Sequence, residues 1–594
     1  MSVTQSPEQV RWDLSDLVAG AGEAPVVALL DEARTAADAF AARYRGALAG
    51  IDADGLAAAM AALGEIYDLV GRAESYASLD FATDTTDPAR GALLALVQER
   101  STALATTLLF FELEWAALSD ERVDELLEHD GLDFCRHHLR TARRYRPHLL
   151  SEPEELILTE KSLSGAGAWT RLFGELTSSI EVELGREQPV ALDVALAELA
   201  SPSRDVRRAS AEAVTRALEP GLRTRAFIFN TLLLDKATDD RLRHYEHWLA
   251  ARNLANEASD ESVAALVSAV SGRYELARRW YRLKASVLGV DRLADYDRMA
   301  PLASDEEQVD WPTAREIVLD AYASFSPTLG ELVERFFAEH WIDAPPLRGK
   351  QGGAFCAYTV PSVHPYVLLN YTGRRRDVLT LAHELGHGVH AALASVQGIF
   401  HQGTPLTLAE TASVFGEALT FGRLLDSSPS PAARLALLAE DIEGAIATVF
   451  RQVTMNQFER LVHTERREAG ELSVERFGEL WAQTQEDFLG DSVEVTDGYR
   501  SWWSYIPHFI NTPGYVYAYA YGQLLALSVY ERHLAVGGGF EQSYLELLSS
   551  GGSRSPEDLG AIVGVDLRDP AFWERGLDLV ERRLEAAEEA ARAL

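Results

Sequence analysis

Along most of this chain apolar residues recur at every third or fourth position, the spacing that gives a helix one buried face. The pattern predicts helices over Val26–Tyr44, Asp54–Ala77, Gly91–Leu118, Pro153–Lys161, Ala191–Leu218 and Ser262–Leu288. It continues over Ala432–Gln457, Val474–Asp487 and Pro556–Val563 and ends in a strongly charged amphipathic tail, Leu577–Leu594. Strict alternation, the mark of a half-buried strand, is rare. Phe173–Leu184 has some of it, and Gly352–Tyr371 (GGAFCAYTVPSVHPYVLLNY) reads as strand, proline-containing turn and strand. The expected fold is mainly α, with one small sheet.

Turn residues collect at Pro220–Gly221, Ala344–Pro346, Gly537–Gly539 and Ser549–Ser555. We divide the chain into an N-terminal helical lobe, residues 1–200, and a second region, residues 201–594. The 594 residues suffice for several lobes, and 47% apolar with 25% charged residues is the balance of a globular protein. Against 55 Lys and Arg stand 91 Asp and Glu, a net charge of −36. A surface that acidic repels phosphate backbones and anionic lipid, so neither nucleic acid nor a membrane is an expected partner. Cys135 and Cys356 form no paired motif and fit a reducing compartment. Met1–Leu17 lacks a basic stretch followed by an apolar core, and no apolar run reaches spanning length. The expectation is a cytoplasmic protein.

Chemistry concentrates at His383-Glu384-Leu385-Gly386-His387, inside a stretch of helical period. Histidines four apart lie on one helical face, so both imidazoles reach one metal ion, and the glutamate between them projects beside it. The pattern points to zinc-dependent hydrolysis, with Glu384 taking a proton from a zinc-bound water. Asp377 falls in the first turn, where a carboxylate meets the positive end of the helix dipole. Ala382, Leu385, Val389 and Leu393 form the anchoring stripe, and His390 lies a turn beyond the pair without being needed as a ligand. Gly386 and Gly388 cost the helix about 1 kcal/mol each against alanine. They are expected to admit a close neighbour, either another backbone or the substrate.

A catalytic zinc needs a third protein ligand. Glu410, in the segment Thr407–Glu417 (TLAETASVFGE), is the candidate; Glu417, two turns on, is a competing ligand or an acceptor behind the histidines. If Thr407 and Glu410 form a capping box, Glu410 is already engaged. If Thr404 caps the helix with Pro405 in its first turn, Glu410 is interior and available.

The HELGH pentapeptide together with Ala409–Ser413 (AETAS) resembles the M3 peptidases, the group of thimet oligopeptidase and oligoendopeptidase F. Trp12–Leu17 (WDLSDL), Leu158–Leu184 and Gly349–Thr372 resemble further segments of the oligoendopeptidase F branch, so the likeness runs over most of the chain. It implies an α-helical clam of two lobes flanking a deep channel, the small sheet beside the metal helix, and Glu410 as third ligand to Zn²⁺. The activity it implies is endopeptidase cleavage of short unstructured peptides. A peptidyl-dipeptidase of the same family, or a non-catalytic peptide-binding protein on the same scaffold, are the alternatives. Whether the chain is a monomer or a homo-oligomer is open.

Peptide hydrolysis places charge on the scissile carbonyl oxygen, which calls for donors besides the metal. Ser504–Gly522 holds His508 and the alternating Tyr515, Tyr517, Tyr519 and Tyr521. On a helix Tyr515 and Tyr519 share one face and Tyr517 and Tyr521 another; alone, such a stripe reads as an aromatic core helix. M3 peptidases set a histidine and tyrosines from a glycine-rich loop and the next helix over the reacting oxygen, and by position the resemblance assigns His508, Tyr515 and Tyr519. The spacing from His508 departs from the thimet branch, and Gly522 stands where that branch has another tyrosine. Gly514 is a candidate hinge. Gly353, Ala354 and Phe355 resemble an exposed edge strand to which an extended peptide adds, against the alternative of an interior strand. His364 is expected to be structural or to line the channel wall.

Overall fold

The computed structural model describes residues 6–162, 164–302, 308–428 and 430–594. The first five residues of the Met1–Leu17 segment and Leu163 of the Leu158–Leu184 segment lie outside it. Over the described residues the protein is mainly helical with three small sheets. Local chemistry sets many helix ends: Asp52 accepts the Gly55 N–H to start Ala53–Thr83, and Asp87 accepts the Ala89 N–H to start Pro88–Ala117. Three long predicted helices are divided. Ala191–Leu218 breaks around Pro202, which cannot donate into a helix, giving Leu192–Ala197 and Arg204–Leu218. Ser262–Leu288 parts at Gly272–Arg273 into Asp260–Gly272 and Tyr274–Val287. Ala432–Gln457 becomes Pro431–Ala445, a π turn at Ile446–Phe450, and Arg451–Ala469, which stops at Gly470 (φ +94°). Phe173–Leu184 is helical up to Ser178, because Phe173, Leu176 and Ile180 also satisfy the helical spacing; only Glu181–Val182 is extended.

The chain forms two compact units, each built from separated stretches: Met1–Arg146, Glu306–Asp426 and Arg532–Asp566 in the first, Pro147–Asp305, Ser427–Glu531 and Leu567–Leu594 in the second. The boundary expected at residue 200 falls inside a stretch of the second unit. In the first unit, Glu23–Tyr44, Ala53–Thr83 and Pro88–Ala117 pack around Phe40, Phe111 and Trp115, whose indole donates to Leu139 O at 2.9 Å. The same unit holds a three-stranded sheet in the order Ile342–Asp343, Tyr366–Leu368, Phe355–Ala357. Phe355–Ala357 runs antiparallel to its partner (Phe355 opposite Leu368) and is an outer strand. The WDLSDL segment seats on this sheet: Tyr366 Oη donates to Asp13 O, Trp12 meets the Tyr366 ring edge-on, and Arg11 pairs with Asp343. Buried Lys350 closes the knot with four bonds, to Asp343 Oδ1 and the carbonyls of Asp343, Pro345 and Leu369.

The second unit buries an aromatic core of Phe229, Phe458, Phe477, Trp481, Trp503 and Phe509. Its last helix, Pro570–Arg592, is clamped by Arg273 to Glu574, Asp578 and Glu581 and by Arg279 to Glu581 and Glu588. Among the described residues no helix is long and apolar enough to cross a membrane. Cys135 and Cys356 are free thiols.

Candidate metal centre

The helix bearing the two histidines spans Arg375–Ala394. Its start is held by Asp377, whose Oδ2 accepts from the N–H groups of Thr372 and Arg374 and from the Thr372 hydroxyl. After Gly398 (φ +72°) the chain returns as the helix Leu406–Asp426, so Glu410 is an interior residue of that helix and not its cap. Two glycines set how closely the helices approach. A Cβ on Gly386 would lie 2.4 Å from Ala412 O and 2.5 Å from Ser413 Cα, both backbone atoms. A Cβ on Gly416 would collide with the Tyr322 hydroxyl, which donates to Ala382 O at 2.7 Å and pins both helices. The neighbour expected at Gly386 is thus the return helix; at Gly388 it is the Phe336 ring.

This close approach brings one carboxylate over both imidazoles. Glu410 Oε2 lies 3.3 Å from His383 Nε2 and 3.7 Å from His387 Nε2, and the three ligand atoms fall within 4.8 Å of one another. Those separations match the edge of roughly 3.3 Å in a tetrahedron with metal–ligand bonds of about 2.0–2.1 Å. Two imidazoles and one carboxylate are also a donor set that zinc takes in catalytic sites, so the residues fit the ion. Burial works against the Glu410 charge, yet the His383 hydrogen bond and both imidazoles hold its carboxyl down at about 2. Burial likewise lowers His387, to about 4, whereas at His383 the Glu410 and Glu417 carboxylates outweigh burial and raise the imidazole.

A sequence model of peptidase family M3 matches residues 198–579, and an oligopeptidase F model matches residues 114–181. The chain belongs to peptidase family M3. It is 27% identical over 556 residues to oligopeptidase PepF of Bacillus subtilis, covering 92% of this chain and 82% of that protein. With group B oligopeptidase PepB of Streptococcus agalactiae it shares 28% over 528 residues, 86% of each chain. The crystal structure of oligoendopeptidase-F from Enterococcus faecium superposes with a TM-score of 0.70 at 23% identity, over 95% of this chain and 97% of that one.

Around the three residues that could hold an ion in this M3 peptidase stand four further side chains. Glu384 is buried beside the histidines; desolvation and the Glu410 and Glu417 charges raise its carboxyl to about 7, opposed by His383. Glu417 Oε2 sits 3.1 Å from His383 Nδ1, on the far side of the ring from Glu410 and outside the group that could hold a metal, where a carboxylate can orient an imidazole. Ser413 Oγ donates to Glu410 Oε2 at 2.7 Å. Tyr358 is half-buried with its hydroxyl enclosed and its ring 6.4 Å from both His387 and His390, and desolvation, then Cys356 and the Glu410 and Glu384 carboxylates, raise its phenol. Ser413 is legible as the i+3 neighbour of Glu410; Tyr322 and Tyr358 carry no local signal and were missed. His390 is buried, pushed by desolvation to about 3, and outside the ligand group. His364 is structural, stacked at 4.1 Å on Trp341 and 3.1 Å from Asp16. Replacing Glu417 with alanine is expected to weaken zinc binding on the order of 10- to 100-fold; chelator competition measures it, and unchanged affinity would make Glu417 a bystander.

Of the residues assigned to substrate, Phe355 lies in the outer strand, with Gly353 and Ala354 just before it. Gly353 sits at φ +82° and its carbonyl already accepts from Asn370 Nδ2 at 2.8 Å. In the second unit His508, Tyr515 and Tyr519 cluster: His508 Nε2 is 3.1 Å from Tyr519 Oη, and the Tyr515 and Tyr519 rings meet edge-on at 5.1 Å. Tyr517 and Tyr521 point the other way; Tyr517 Oη bonds Asn253 and Asn256, and Tyr521 Oη reaches Ser262.

Proposed function

We propose that this M3 peptidase is a zinc-dependent endopeptidase acting on short peptides. The observation that carries it is the convergence of His383 Nε2, His387 Nε2 and Glu410 Oε2 beside the buried carboxyl of Glu384. The relatives named as oligopeptidases support the substrate class. Zinc held by the three ligands supplies Lewis acidity, polarising the scissile carbonyl and acidifying water.

The rest falls to the chain's own groups. Glu384 accepts a proton from the attacking water on a carboxylate oxygen and returns it to the departing amine. Its buried carboxyl lies beside the atoms that would hold the ion, within reach of a water bound there. His508, Tyr515 and Tyr519 act as hydrogen-bond donors to the carbonyl oxygen as it gains charge; the family resemblance and their mutual clustering support this. The open side of Phe355–Ala357 offers backbone to an extended peptide, with Ala354 and Phe355 at its start, while Gly353 shapes the turn.

Cleavage of a quenched fluorescent peptide should stop on chelation and return on adding zinc. Mass spectrometry of the products should show single internal cuts; a ladder of C-terminal dipeptides would favour a peptidyl-dipeptidase. Full turnover after complete metal removal would sink the proposal.

A further inference from the structure

The helix Arg451–Ala469 carries Asn456, Glu459 and His463 on one face, at intervals of three and four, all within the second unit and all buried. Asn456 Nδ2, Glu459 Oε2 and both His463 ring nitrogens have no hydrogen-bond partner among the described residues. Buried polar atoms left unpaired are costly, so a carboxyl kept in such a place calls for a compensating contact. For Glu459 that contact is specific: its Oε1 accepts the N–H of Gly514 at 2.7 Å.

Gly514 immediately precedes Tyr515 and sits at φ +75°, where an added Cβ would lie 2.6 Å from Leu249 Cδ1. The turn is held from other sides as well. Arg252 Nε donates to Pro513 O at 3.4 Å and its guanidinium lies 6.0 Å from the Tyr515 ring centre. Trp248, whose ring would be 3.4 Å from that Cβ, is itself stacked on His463 at 4.7 Å. Two residues of one helix face thus secure the turn, Glu459 directly and His463 through Trp248. What the turn presents is Tyr515 against Tyr519, and through Tyr519 the His508 imidazole.

We propose that Glu459 is a positioning residue for peptide hydrolysis: its hydrogen bond to Gly514 fixes the turn that sets Tyr515 against His508 and Tyr519. The inference rests on the donor role assigned to that cluster under the proposed function. Burial pushes the Glu459 carboxyl up to about 8, although the Gly514 bond and Arg252 oppose it, so near neutral pH it is largely the uncharged acid. A neutral carboxyl offers the same carbonyl-type acceptor as a glutamine amide, whereas leucine leaves the Gly514 N–H buried without one.

The test compares Glu459→Gln and Glu459→Leu, each alone and combined with Tyr515→Phe, by kcat, KM and metal content. Glu459→Gln should keep kcat within about twofold. Glu459→Leu should lower kcat on the order of 10- to 100-fold, the scale of a misplaced reacting group, with KM and metal content unchanged. In the Tyr515→Phe background the leucine change should cost less than about twofold further, because the group it misplaces is already gone. An unaltered kcat in Glu459→Leu, or the same loss in both backgrounds, would overturn the proposal. Should the leucine variant fail to fold, Glu459→Asp withdraws the acceptor by one methylene and is expected to show the same kcat loss; wild-type kcat there would overturn it equally. Wild-type kcat in Tyr515→Phe alone would strike the donor assignment, and this inference with it.

Discussion

Replacing Glu384 with glutamine is expected to lower kcat roughly 10²- to 10⁴-fold, the usual worth of a positioned general base, with zinc content unchanged. Glutamine has nearly the same shape and can occupy the same buried pocket, but its amide cannot take a proton from water. The three atoms that could hold the ion belong to His383, His387 and Glu410, so the substitution removes none of them. Steady-state kinetics paired with metal analysis separates the outcomes. Near-wild-type turnover would remove Glu384 from the proton-transfer role, and loss of metal together with activity would move it into the group that holds the ion.

Replacing Gly386 with alanine is expected to cost about 3 kcal/mol of stability or more and to cut zinc affinity at least tenfold. Overpacking a core ordinarily costs about 1–3 kcal/mol, and here the obstacle is harder than a side chain. The new methyl would stand 2.4 Å from Ala412 O and 2.5 Å from Ser413 Cα, so the two helices themselves must separate. Glu410 lies on the helix that moves, two residues before Ala412, and its 3.3 and 3.7 Å distances to the imidazoles stretch with it. The helix-propensity gain of alanine over glycine, about 1 kcal/mol, is too small to offset this. Gly422→Ala is the control: the same return helix, nothing within 4 Å of the added Cβ, and an expected gain of up to about 1 kcal/mol. Thermal melts and zinc titration decide, and a Gly386→Ala variant with wild-type melting and affinity would refute the close-contact account.

How much of the site is legible before folding depends on sequence separation. His383, Glu384 and His387 share one turn of helix, so their spacing alone predicts a common ion and a base beside it. Glu410 is a different case: by residues alone it was either a cap or a ligand. The start of its helix at Leu406 settles that it is interior, and the contact at Gly386 brings it to the histidines. The tyrosine stripe shows the same division. Helical parity pairs Tyr515 with Tyr519 and Tyr517 with Tyr521, but which pair is core follows only from Asn253, Asn256 and Ser262 holding the second pair. Gly353, on glycine content a plausible open strand residue, has its carbonyl taken by Asn370, seventeen positions on.

Helix-period patterning specified most of the helices, and the pentapeptide specified where metal chemistry would sit, because both are relations among residues a few positions apart. The long runs that split at Pro202 and at Gly272 were written in single residues whose effect a periodic pattern averages away. Folding alone decided the rest. Each unit gathers stretches hundreds of residues apart, Tyr322 pins a helix that begins some fifty residues later, and Glu417 takes up His383 Nδ1 across a helix crossing. Such contacts are fixed by which surfaces fit at close packing, and no local period encodes that.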